Sequence, residues 1–151
     1  MKKYFVILLC LFFSANIFAA TTSEVKSQVN HAYHQWCTAI GKAKGNPKVV
    51  TQFYAPGATL VPTLSHKILR NKNHGLDEYF AHLTSHKDIR CIPEKNRIHL
   101  HGKTVTNSGL YEFSFMDDGH RKNIPARFTF VYEKIDGKWL IINHHSSKMP
   151  E

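Results

Sequence analysis

From Gly109 to Ser147 the chain is written almost entirely in alternating aromatic and polar residues. The runs are Gly109-Leu110-Tyr111-Glu112-Phe113-Ser114-Phe115, then Ala126-Arg127-Phe128-Thr129-Phe130-Val131-Tyr132-Glu133, then Lys138-Trp139-Leu140-Ile141-Ile142. Asp117-Asp118-Gly119 and Asp136-Gly137 separate them. A period of two marks strands, and Asp-Gly pairs between such runs are strong hairpin signals. A sheet that places so many rings on one face needs an element to wrap around, and a chain of 151 residues offers few.

One long amphipathic helix supplies it. From Ser23, the residues Val25, Val29, Ala32, Tyr33, Trp36 and Ile40 recur at helical spacing until Gly41 to Pro47 ends the pattern. A short helix is expected from Pro47 to Phe53, a turn at Tyr54-Ala55-Pro56-Gly57 and a strand from Ala58 to Val61, limited by Pro62. Lys67 to Arg70 is a candidate partner strand, and His74 to Leu83 reads as a third helix with Asn73 as N-cap. Strands follow at 87–92, 97–101, 104–116, 121–135 and 138–147. Helices first and a meander last predict an α+β fold, a curved antiparallel sheet wrapped as a cone around the first helix.

A two-residue turn at Asp136-Gly137 fixes a register in which Ile135 faces Lys138, Tyr132 faces Ile141 and Phe130 faces Asn143. One sheet face then carries Phe128, Phe130, Tyr132, Trp139, Ile141 and Asn143, and packs on the helix. The other carries Arg127, Thr129, Val131, Glu133, Leu140, Ile142 and His144. It is apolar enough to be covered, with a second copy of the chain as the candidate.

The N-terminus reads as an address. Lys2 and Lys3 precede an apolar run from Tyr4 to Phe13, and Ser14 to Ala20 ends in small residues. This is a signal-peptide pattern with the cut after Ala19, or after Ala20. It predicts a periplasmic or secreted protein whose single domain spans 20–151. The run is short for a bilayer span, and stable membrane insertion is not expected. Without Lys2 and Lys3 the chain keeps 18 basic against 11 acidic residues, a net of +7 with His neutral. That charge favours acidic partners or anionic envelope surfaces, or simply aids solubility. Nucleic acid is not expected, because no recognisable nucleic-acid module interleaves aromatic and basic residues. Cys37 and Cys91 remain after cleavage. They form a disulfide or stay as two buried thiols.

All eleven histidines lie beyond the signal segment. The pairs His31/His34, His82/His86, His99/His101 and His144/His145 lack a third ligand at a recognisable spacing, so neither a metal nor another cofactor is expected.

The segments Tyr54-Ala55-Pro56-Gly57-Ala58-Thr59-Leu60-Val61-Pro62-Thr63-Leu64-Ser65, Tyr79-Phe80, Ala126 to Tyr132 and Asp136-Gly137-Lys138-Trp139-Leu140-Ile141-Ile142-Asn143-His144-His145-Ser146-Ser147 together resemble the SnoaL-like branch of the nuclear-transport-factor-2-like superfamily. More narrowly, the chain is similar to exported bacterial relatives of the calcium/calmodulin-dependent kinase II association domain, the SgcJ/EcaC family. Ile98-His99-Leu100-His101-Gly102 adds to that likeness. The resemblance runs from about Val25 to Pro150. It implies a cone with a pocket at its open end and a homodimer formed through the sheet. It implies no kinase activity, since no Gly-rich loop, His-Arg-Asp or Asp-Phe-Gly element is present. Where kinase association domains carry pocket arginines, this chain has Tyr111, Phe130 and Ser146, so anion binding does not carry over. Arg127 points to the opposite face by strict alternation and enters the cone only through a bulge.

The expected site is thus aromatic, for a small and partly apolar ligand. Trp36, Tyr54, Tyr79, Tyr111, Phe130, Tyr132 and Asn143 are its candidates, with Arg127 and His145 at the rim. An isomerase, dehydratase or hydrolase using His145 as base, with Tyr54 or Tyr111 as donor, is the catalytic alternative. An oligomerisation scaffold is the third.

Overall fold

The computed structural model describes residues 20–63 and 65–150, so the expected signal peptide at 1–19 lies outside the described residues. Helix α1 (Thr22–Ala43) opens with a capping box: the Thr21 hydroxyl accepts from the Glu24 amide at 3.2 Å, and the Thr21 amide donates to the Glu24 carboxylate at 2.7 Å. It ends where Lys44 and Gly45 take left-handed conformations before Asn46-Pro47. Its buried stripe is Val29, Tyr33, Trp36, Cys37, Ile40 and Ala43. Helix α2 (Lys48–Thr51) and helix α3 (Asp77–Ser85) flank it.

Six strands form one sheet: β1 (Tyr54–Val61), β2 (Leu69–Arg70), β3 (Lys87–His101), β4 (Thr104–Asp117), β5 (His120–Ile135) and β6 (Lys138–Lys148), in the order β2-β1-β6-β5-β4-β3. The sheet curves over α1 and lays Phe128, Phe130, Tyr132, Tyr111 and Ile141 against the helix stripe. Each such side chain contributes about 1.5–3 kcal/mol by leaving water. Among the described residues no helix is long and apolar enough to cross a membrane.

The α+β architecture is the expected one, with five local differences. The sheet is mixed, because β1 runs parallel to β6. The Tyr54–Gly57 turn is instead the first half of β1. An irregularity between Tyr54 and Thr59 absorbs Pro56 and Gly57, the latter at φ 78°. Helix α3 starts three residues later than expected, and Asn73 does not cap it. Asn73 and His74 are left-handed at φ 51° and 63°, while the Asn71 side chain donates to the Tyr54 and Ala55 carbonyls and pins the loop to β1. The strands expected at 87–92 and 97–101 are one strand with a bulge between Pro93 and Asn96. Gly109 opposite makes the bulge possible, since a Cβ there would lie 2.2 Å from the Lys95 carbonyl oxygen.

The fifth difference matters most. Ile135 faces Lys138 and Tyr132 faces Ile141, but Val131 faces Asn143 and Phe130 faces His144. Ile142 is an extra residue, a β-bulge that resets the alternation of β6 beyond it. The expected pairing of Phe130 with Asn143 is displaced by one residue, and a one-residue slip exchanges faces.

Candidate functional site

The bulge turns His144 into the cone and Asn143 and His145 out of it. His144 is 2% exposed, whereas Asn143 and His145 are exposed on the outer face. The expectations that Asn143 lines the cone and that His145 reaches its pocket from the sheet end are therefore corrected. Arg127 also lies outside, as strict alternation requires, with its Nε donating to the Ser147 hydroxyl at 3.3 Å.

The other aromatic candidates converge. Trp36 from α1 meets Phe130 at 5.1 Å and His144 at 5.4 Å, both edge-on. Phe130 lies 4.2 Å from His144 between ring centroids. The Tyr54 hydroxyl is hydrogen-bonded to His144 Nδ1 at 2.8 Å. Tyr111 stacks on Phe128 at 5.0 Å with the rings 4° from parallel, and its hydroxyl donates to the Ser146 hydroxyl at 2.6 Å. Ser146 in turn shares a 2.6 Å hydrogen bond with the Thr63 hydroxyl. Tyr132 is buried beyond Phe130, its hydroxyl without a protein partner.

Burial controls the charge in this interior. It holds the Tyr54, Tyr111 and Tyr132 hydroxyls far above the usual phenol range and pushes Tyr79 up to about 12. It also drives His144 down to about 3, with the charge of His145 a smaller cause. The imidazole is neutral at physiological pH, and its buried Nε2 has no protein partner. Trp36 Nε1 and the Asn107 side-chain nitrogen are in the same position. Native interiors seldom leave such atoms unpaired.

Trp36, Tyr54, Tyr111, Phe130 and Tyr132 are thus together, but as a packed core. Tyr79 alone among the aromatic candidates borders a cleft or recess. It lines a cleft of about 470 Å³ between α3 and the loop before β2, with Ser65, His66, Lys67, Leu69 and Glu78 on its walls. Tyr79, Leu83 and His86 also border an inner recess of about 40 Å³ formed with Thr63, Phe113, Phe115, Ile124 and Ala126. Cleft and recess make the mouth of the cone. The imidazole of His86 stacks on Phe115 at 4.4 Å, and His82 meets His86 edge-on at 5.4 Å.

The alternation of β4 already directs Phe113 and Phe115 inward, but nothing in the sequence joins them to Thr63 and His86. The i, i+4 spacing of His82 and His86 was the one available signal. Cys37 of α1 and Cys91 of β3 are disulfide-bonded with their Cα atoms 5.0 Å apart, within the ordinary range. Among the described residues no group of three or more His, Cys, Asp or Glu is placed to hold a metal ion.

Comparison with known proteins agrees with this architecture. Residues 25–150 match the family of the calcium/calmodulin dependent protein kinase II association domain. A solved structure from Xanthomonas campestris, described as a proposed member of that family, is 36% identical, covering 88% of this chain and 94% of its own with a TM-score of 0.75. A proposed dehydratase of the NTF2-like family from Streptomyces avermitilis superposes with the same TM-score at 14% identity, covering 87% of this chain and all of that one. The association domain of the kinase from C. elegans superposes with a TM-score of 0.67 at 14% identity, covering 83% of this chain and 96% of that one. No curated protein matches the sequence. The chain has the fold of NTF2-like proteins and belongs to the calcium/calmodulin-dependent protein kinase II association domain family.

Proposed function

We propose that this is an exported, self-associating protein that binds a small, partly apolar molecule at the mouth of its cone and has no kinase activity of its own. The mouth carries the reading. Its cleft opens toward an aromatic recess, and the Thr63–Ser146–Tyr111 hydroxyl chain begins at that recess. An apolar wall with a few fixed polar groups is the usual build of a small-molecule site. Tyr79, Thr63, His82 and His86 would orient the ligand, while the five buried aromatic candidates hold the wall in place.

Base catalysis has less support. A general base works best with a pKa near the working pH. His144 is held near 3, and His145 faces the opposite side of the sheet. Self-association is supported by the outer sheet face, where Leu110, Val131, Leu140 and Ile142 are half-exposed, and by family membership. Export is supported by the disulfide, which persists in oxidising compartments.

Native mass spectrometry of the protein, recovered without denaturation from cells expressing the full chain, tests the reading. A dimer with a reproducible added mass, lost in Tyr79→Ala, is the expected result. A larger ring with nothing bound, and no small molecule retained on screening, would move the assignment to an assembly scaffold.

A further inference from the structure

Between Pro62 and Leu76 the chain contains Lys67, Arg70 and Lys72 and no acidic residue. The same stretch carries the most exposed large hydrophobic side chain among the described residues, Ile68 at 70%. Its base is rigid. Asn71 is bonded to two carbonyls of β1, and Gly75 sits so close to the Arg70 carbonyl oxygen that a Cβ would lie 2.3 Å from it. On this footing Lys67, Arg70 and Lys72 all stand exposed at the β2 edge of the sheet, and Ile68 projects beside them. The two carboxylates that open α3 leave the group positive. Asp77 is occupied by Lys48 and His74, both at 2.7 Å, and Glu78 is a single charge on the far wall of the cleft.

We propose that this loop docks the protein on an anionic lipid surface, with Ile68 entering the headgroup layer and Lys67, Arg70 and Lys72 facing lipid phosphates. A basic cluster with one apolar tip is suited to peripheral, reversible attachment, in which each lysine or arginine near the surface strengthens binding about fivefold. Charge alone would spread the contact over the whole basic protein. The exposed isoleucine within the basic segment is what selects this face and favours a lipid surface over a soluble polyanion. His66, Lys67 and Leu69 also form one wall of the cleft, so docking turns its opening toward the bilayer. The inference is independent of what the cleft holds.

Co-sedimentation of the soluble protein with vesicles tests it. Binding is expected to phosphatidylglycerol–phosphatidylcholine vesicles, to weaken with salt, and to be absent with phosphatidylcholine alone. Ile68→Ser is expected to lower partitioning about tenfold and Lys67→Gln about fivefold. Lys138→Gln is the control. It lies on β6 five residues before Asn143, which is two strands from Arg70, roughly 20 Å from that arginine and about two screening lengths, and is expected to change binding by less than about twofold. Equal losses at Lys138 and Lys67, or full binding by Ile68→Ser, overturn the proposal in favour of diffuse attraction. So does equally tight binding to duplex DNA. A change of oligomeric state in Ile68→Ser would instead make the patch a contact between copies, and would also overturn it.

Discussion

His144 is enclosed by Trp36, Phe130 and the Tyr54 hydroxyl, and these neighbours determine its charge. In the unfolded chain an imidazole takes up a proton near pH 6.5, whereas in the folded protein burial delays this until about pH 3. Below pH 6.5 the unfolded state therefore binds more protons than the folded one, and stability falls with pH until about 3 is reached. The slope approaches about 1.4 kcal/mol per pH unit. Urea unfolding of the wild type and His144→Asn at pH 7 and pH 4.5 isolates this contribution from that of the carboxylates. The variant is expected to be less stable at pH 7 but to lose about 2–3 kcal/mol less than the wild type on acidification. Equal losses would mean that His144 is not held neutral.

Among the elements, α1 and β3 are joined covalently, and the Cys37–Cys91 bond closes a span of 54 positions. A cross-link over such a loop restricts the unfolded chain by about 4 kcal/mol in the chain-entropy description. Reduction, or the Cys37→Ala/Cys91→Ala pair, is expected to lower unfolding stability by about 2–4 kcal/mol while leaving far-ultraviolet dichroism at native levels. Unchanged stability under reductant would mean that the thiols are not paired in solution. The sequence made the elements legible because their periods are clean: Val29, Tyr33, Trp36 and Ile40 repeat as a helix, and Phe128, Phe130 and Tyr132 as a strand. It did not make the bulge at Ile142 legible. Ile141-Ile142 looks the same with regular or bulged pairing, and the parallel neighbour β1, whose own register shifts before Thr59, is encoded 84 positions earlier at Thr59–Asn143. Because the catalytic alternative depends on which face His145 occupies, this one residue separated a correct fold from a misplaced base. The mouth was hidden for a related reason. Thr63, His86 and Phe113 become neighbours only through the long return of the chain.

At the scale of the whole molecule, the proposed self-association places a second copy on the outer sheet face. Val131 stands at its centre between Thr106 and Asn143. A glutamate there would place a charge in the covered interface at a cost of several kcal/mol. Val131→Glu is expected to sediment as a monomer with native secondary structure, and an unchanged sedimentation coefficient would move the self-contact to another surface. The parallel pairing of β1 with β6 has a consequence in time. Thr59 meets Asn143 across 84 positions, so β1 and its short partner β2 cannot join the rest of the sheet until β6 has been synthesised. Such distant pairing slows folding, and a nascent chain that lacks its final hairpin cannot close its core. In the export proposed above, where a polypeptide is threaded through a membrane before it folds, that delay would keep the chain competent for translocation, and folding would follow delivery.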